Sequence, residues 1–415
     1  MNSNKISNIV CILIDNSRIA KILALKSLEM KKEWTHSIFY TILLTVIWLF
    51  VNRSTGGSLF YLDALFFVAL YFLFFTYGKP ATSQWLKNYC DVRRVRILFF
   101  PTLLLVIYYI YGIIHGQPIF DGPMLLVPFL VYFPSLMVSV FEQKGSEVHK
   151  SDMFTLWFFL FPITLVDLPF KSNLPIDGVS LESVFRMVVM LASIHAFVVL
   201  RGLKDVGFFP EFSWKKLATT TWVWLLYIGV IFAVGFAVKF IQYAGYENVD
   251  WVWVEKMATK SIKIFFHTAI FEELFFRGYF QNMLCKQLDK NFQHKKYWLI
   301  GSVTMVAISL LTGYGMEGSM QWFPALVSVI IMGFAYYLAQ RFPALQATYL
   351  GMAIASIVFG LVHFHSGSII FVGFASVAGW AYGYVYYRTK NVFYAALIHT
   401  LVNSSAPWFG LELMK

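Results

Sequence analysis

The chain has 415 residues, of which 59% are hydrophobic, 19% aromatic and only 13% charged. A soluble domain carries about 25% charged residues, so this composition argues against a soluble globular protein and for a polytopic membrane protein. The formal net charge of +11 does not imply a nucleic-acid partner, because the basic residues lie in short clusters between apolar runs, as loops do under the positive-inside rule.

Residues 1–35 read as a basic, partly amphipathic segment on the cytosolic membrane face. Their apolar run, from Ile9 to Ile14, is short and ends at Asp15 with no small-residue cleavage pattern behind it, unlike a signal peptide. Apolar runs near spanning length follow at 36–52, 58–78, 97–115, 123–141, 153–170, 182–200 and 217–244, which together form an accessory bundle over residues 36–250. More follow at 261–280, 297–315, 322–340, 345–364, 368–387 and 391–411. The expectation is an all-α transmembrane helix bundle with about 13 spans, between 11 and 14.

Lys and Arg cluster before the first run, from Lys87 to Arg96, at Lys144 and Lys150, and from Arg201 to Lys216. Further clusters are Lys286 to Lys296, Arg341, and Arg388 with Lys390. All fall on one side if thirteen runs span, with Arg53, Lys171, Lys256 and Lys260 opposite. That predicts a cytosolic N-terminus in the plasma membrane. Cys11, Cys90 and Cys285 show no paired or metal-binding spacing and fit reduced thiols. Aromatic runs such as Phe66 to Phe75 read as lipid-facing or interfacial packing.

Within the eighth run, Ile270-Phe271-Glu272-Glu273-Leu274-Phe275-Phe276-Arg277 places three ionised groups in six residues. Each costs about 2.5–3.5 kcal/mol near the bilayer centre on insertion scales, so packing alone does not explain them. On a helix Glu272 and Glu273 point about 100° apart. Glu273 and Arg277 share a face in the favourable acid-before-base order and are expected to pair. That leaves Glu272 free to face a cavity, where burial favours a general base for water.

Phe359-x-x-x-His363 and His399-x-x-x-Asn403 each repeat at one helical turn. A lone histidine in such a bundle is as readily an interhelical hydrogen-bonding group. Asn403 beside His399 supplies two donors on one face, suited to an oxyanion and worth about 2.7–4 kcal/mol per donor. His363 would then assist Glu272 in polarising water. Glu272, His363 and His399 are alternatively a zinc shell. His267 and His365 lie nearby with weaker claims.

These residues resemble the CPBP (Abi) family of glutamate-type intramembrane proteases, related to the type II CAAX prenyl endopeptidase. Its pattern EExxxR, FxxxH, HxxxN matches Glu272-Glu273 to Arg277, Phe359 to His363, and His399 to Asn403, in order. Flanking Arg277-Gly278-Tyr279, Ser356-x-x-Phe359-Gly360 and the run from Gly379 to Tyr387-Arg388-Thr389 agree. The resemblance implies that Glu272 and His363 activate water, that Glu273 and Arg277 hold the site, and that His399 and Asn403 form the oxyanion hole, with no cofactor.

It covers about residues 255–411 and sets a protease core at 251–411. About eighty residues separate Arg277 from Phe359, where the family has a short connection, so residues 295–342 read as an inserted helical hairpin. The expected partner is a membrane-associated peptide or protein substrate in the lipid bilayer. A non-catalytic peptide-binding or immunity protein using the same cavity is the rival. A proton-coupled transporter is a third reading, opposed by the lack of an internal repeat.

Overall fold

The computed structural model describes residues 27–50, 52–53, 57–116, 122–141, 148–164, 181–246, 249–290 and 292–414. Most of the basic N-terminal segment, with Cys11, Lys144 and Lys171, lies outside these residues. With no water in a bilayer core to satisfy the backbone, the apolar runs close their hydrogen bonds internally as helices. They form α1 (Ser27–Phe50), α2 (Phe60–Thr76), α3 (Pro80–Asp91), α4 (Phe99–Ile114), α5 (Gly122–Val140), α6 (Lys150–Thr164) and α7 (Leu181–Ile194). These are followed by α8 (Trp214–Ala237), one helical stretch α9 over residues 251–290, α10 (His294–Tyr314) and α11 (Phe323–Arg341). The last three are α12 (Gln346–Leu361), α13 (Ile369–Thr389) and α14 (Val392–Trp408).

Each of the thirteen apolar runs therefore carries a helix, and α3 is an addition. By length and composition seven helices qualify as spans, or eight if α2 and α3, which meet at 93°, count as one broken span. Pro80 opens α3 at its first helical position and marks the bend. The chain is a multi-pass membrane protein.

The basic clusters gather at one end. Lys286 donates to the Lys204 carbonyl at 3.0 Å, Lys290 to the Val148 carbonyl at 2.8 Å, and Val392 N–H to the Gly207 carbonyl at 3.2 Å. The opposite end holds the Arg53–Glu255 ion pair at 2.9 Å and a two-stranded antiparallel sheet. Its strands β1 (Ile241–Tyr243) and β2 (Leu411–Leu413) pair Gln242 with Glu412.

Packing divides the molecule into three parts. α9 lies between the accessory helices and the rest of the C-terminal core. On one side Tyr279 meets Phe197 at 4.9 Å and the Ser193 hydroxyl at 3.1 Å, while Phe275 meets Phe159. On the other side α9 packs along α12, α13 and α14. Residues 295–342 hold α10 and α11, joined by a buried Ser309–Ser328 hydrogen bond of 2.6 Å. The pair sits on α12 and α13 and turns Leu299, Ile300, Val303, Ile330 and Phe334 outward. The pair is a lipid-facing outer layer.

Candidate active site

Asp250 caps α9 by accepting the Trp253 N–H at 2.8 Å. Two widened turns follow, Ile264–Ala269 and Leu274–Gln281, in which Ile270 N–H bonds Phe265 O and Asn282 N–H bonds Arg277 O. Such i→i−5 turns are frequent at functional sites, and these flank Glu272 and Glu273. Asn391 caps α14 through the Phe393 and Tyr394 N–H groups, and its amide also donates to Phe209 O at 2.9 Å. α14 is thus fixed in rotation, with His399 buried.

Glu273 and Arg277 are both fully buried and pair with Nε 3.1 Å from Oε2. Arg277 Nη2 also donates to the Gly379 carbonyl at 3.0 Å, and its guanidinium lies 4.4 Å from the Phe359 ring centre. Phe359, a supporting residue in the motif, is a cation–π platform. One turn further along α9, Gln281 donates to the Gly383 carbonyl at 3.1 Å. Arg277 and Gln281 therefore clasp two glycine carbonyls spaced by one turn on α13.

The two glutamates point apart, yet both reach His399. Glu273 Oε1 lies 2.9 Å from His399 Nδ1, and Glu272 Oε2 lies 4.0 Å from His399 Nε2. An imidazole carries its nitrogens at separate corners, so carboxylates about 100° apart on one helix can flank a single ring. Glu272 is a quarter exposed whereas Glu273 is not exposed at all. Glu272 Oε2 and Arg277 Nη1 make no hydrogen bond among the described residues.

His363 stands just past α12 in the tighter turn Val362–Ser366, its Nδ1 2.7 Å from the Phe359 carbonyl. Its ring is 4.8 Å from Phe359, which meets His399 edge-on at 5.8 Å. Glu272 and His399 both act on it electrostatically. Asn403, one turn beyond His399, is exposed. His365 is exposed, 5.9 Å from the His363 ring. His267 is half-buried, and its carbonyl accepts from Arg186 at 3.0 Å.

Tyr382 is a member that motif spacing does not reveal. Its buried ring stacks on His399 at 4.7 Å and 16°, and Arg277 lies 5.4 Å from its centre. It lies on the same turn of α13 as Gly379 and Gly383, which the clasp holds against α9. Among the described residues no group of three or more His, Cys, Asp or Glu is placed to hold a metal ion. Nδ1 of His399 is taken by Glu273 and Nδ1 of His363 by a backbone carbonyl, which leaves Nε2 of each ring as the nitrogen open to the site.

Fold and site together define a multi-pass helical membrane protein with a buried glutamate–arginine–histidine cluster. Residues 255–405 match the family model described as type II CAAX prenyl endopeptidase Rce1-like. The C-terminal part of the chain is thus an Rce1-like domain, and the CPBP resemblance of the motifs holds there. The family so matched is that of the type II CAAX prenyl endopeptidases. No curated protein and no solved structure matches the chain.

Proposed function

We propose that the protein hydrolyses a peptide bond of a membrane-embedded or membrane-adjacent substrate, lipidated or not, with Glu272 as general base. The observation that carries this reading is the contrast within the pair. Glu273 is sealed against Arg277 and His399, while Glu272 alone is partly open, beside His399 Nε2.

Glu272, helped by His363, takes a proton from water as its oxygen attacks the carbonyl carbon. The C–N bond then breaks and that proton passes to the leaving amine. Held by Glu273 through Nδ1, the His399 ring turns its Nε2 edge toward the site to polarise the developing oxyanion, and Asn403 supplies the second contact. No metal is needed for these steps. The basic end, by the positive-inside rule, faces the cytosol with the N-terminus, in the plasma membrane.

The test is cleavage by the protein reconstituted in liposomes, against lipidated and unmodified peptides. Glu272→Gln is expected to lower the rate by about 10²–10⁴ without weakening peptide binding, and a zinc chelator to leave wild type unchanged. Retained cleavage in Glu272→Gln removes the assignment. Peptide binding with no cleavage by wild type makes the protein a binding module instead.

A further inference from the structure

A cavity of about 610 Å³, lined by none of the glutamate–histidine cluster, lies at the basic end. One face of α1 lines it with Glu29, Lys32, Glu33, His36 and Tyr40, opposite Lys79 at the α2–α3 bend and the segment Phe209–Phe212. Glu29, Lys32 and His36 are exposed and Glu33 half-buried, so this charged turn of α1 lies at the water–headgroup boundary, where its side chains can reach a polar occupant of the cavity.

The charges there are unequally committed. Glu33 is spent on α3, accepting Ala81 N–H at 2.9 Å, Thr82 N–H at 3.0 Å and the Thr82 hydroxyl at 2.9 Å. Glu211 is paired with Lys216 at 2.5 Å. Lys79 is only 4% exposed, and its ammonium, with three donors, makes one hydrogen bond among the described residues, to the Glu33 carbonyl at 2.7 Å. Buried donors seek acceptors, so the wall at Lys79, with exposed Lys32 at its mouth, suits an anionic group. Glu29, on the same face of α1, suits a cationic one. The rim carries Phe212, whose ring packs edge-on against Trp214 at 5.0 Å, both exposed. Exposed aromatics of this kind mark headgroup depth.

We propose that this cavity holds the headgroup of a zwitterionic phospholipid bearing a primary amine. The phosphate sits against Lys79 and Lys32, the ammonium points to Glu29, and the glycerol and chain origins lie along Tyr40, Phe209 and Phe212. A purely anionic headgroup would gain no ion pair from Glu29.

The experiment titrates the full-length protein, purified in detergent, with short-chain phosphatidylethanolamine, short-chain phosphatidylglycerol and free phosphoethanolamine, reading the shift in Tm. Phosphatidylethanolamine is expected to act at roughly tenfold lower concentration than phosphatidylglycerol, with no shift from free phosphoethanolamine. Lys79→Gln should raise the midpoint roughly tenfold, the loss of one charge-assisted hydrogen bond. If Lys79→Gln does not fold, Lys32→Gln carries the same expectation. Equal response to both lipids, an equal response to free phosphoethanolamine, or unchanged midpoints in the lysine variants overturns the proposal. Glu272→Gln should titrate like wild type, so the outcome is independent of the proteolytic reading.

Discussion

Arg277 and Glu273 hold charge with no exposure to solvent, and a buried pair recovers its desolvation cost only with good geometry and further partners. Here the partners are His399 Nδ1, the Gly379 carbonyl and the face of Phe359. Tyr382 adds the remaining constraint, since its stack confines the imidazole plane of His399. In Tyr382→Leu the ring loses that restraint, worth about 0.5–1.5 kcal/mol for an aromatic pair. We expect kcat to fall by roughly two- to tenfold with KM little changed. Tyr382→Phe keeps the stack and should match wild type. A leucine variant with unchanged kcat, or with kcat and KM altered together, would reduce Tyr382 to ordinary packing.

At the scale of elements the decisive contact is that of α12 with α13. A Cβ at Gly360 would lie 1.9 Å from Ser376 Oγ and 2.6 Å from Ser376 N, and one at Gly379 would lie 2.8 Å from the Ser356 carbonyl. Small residues allow close helix approach where lipid supplies no hydrophobic drive. Backbone is among the obstructing atoms, so Gly360→Ala forces the helices apart. Overpacking of this kind costs about 1–3 kcal/mol and displaces Phe359 and His363, which lie on either side of the contact. Thermal unfolding in detergent should show the stability loss, and cleavage should fall with it. Wild-type behaviour in both assays would show that α12 can shift without harm to the site.

For the whole molecule, the position of α9 between two bundles couples them. Tyr279, Phe275 and Phe280 face α6 and α7, with Trp157 5.0 Å from Phe280, while Glu273, Arg277 and Gln281 face the core. Phe393 of α14 likewise meets Phe74 and Phe208. Residues 251–415 expressed alone should therefore be less stable and lose cleavage, with recovery on co-expression of residues 1–250. Protease resistance and activity in reconstituted membranes check this, and an active isolated core would make the first bundle dispensable.

Composition and apolar run length determined the class of molecule and the placement of its helices, because the bilayer forces long apolar segments to close their own hydrogen bonds. Spacing foresaw the Glu273–Arg277 pair, since residues four apart on a helix are neighbours whatever surrounds them. The ordered motifs pointed to the family that residues 255–405 match. The rest is non-local. The seat of His399 between two carboxylates and the clasp of Arg277 and Gln281 on Gly379 and Gly383 join residues about 100 or more positions apart, and the stack of Tyr382 on His399 joins two separate helices. The sharp α2–α3 bend and the cavity beside it were likewise hidden in what reads as one apolar run ending in a polar loop. Only tertiary packing, which sets how far each helix slides and turns against its neighbours, decided those contacts.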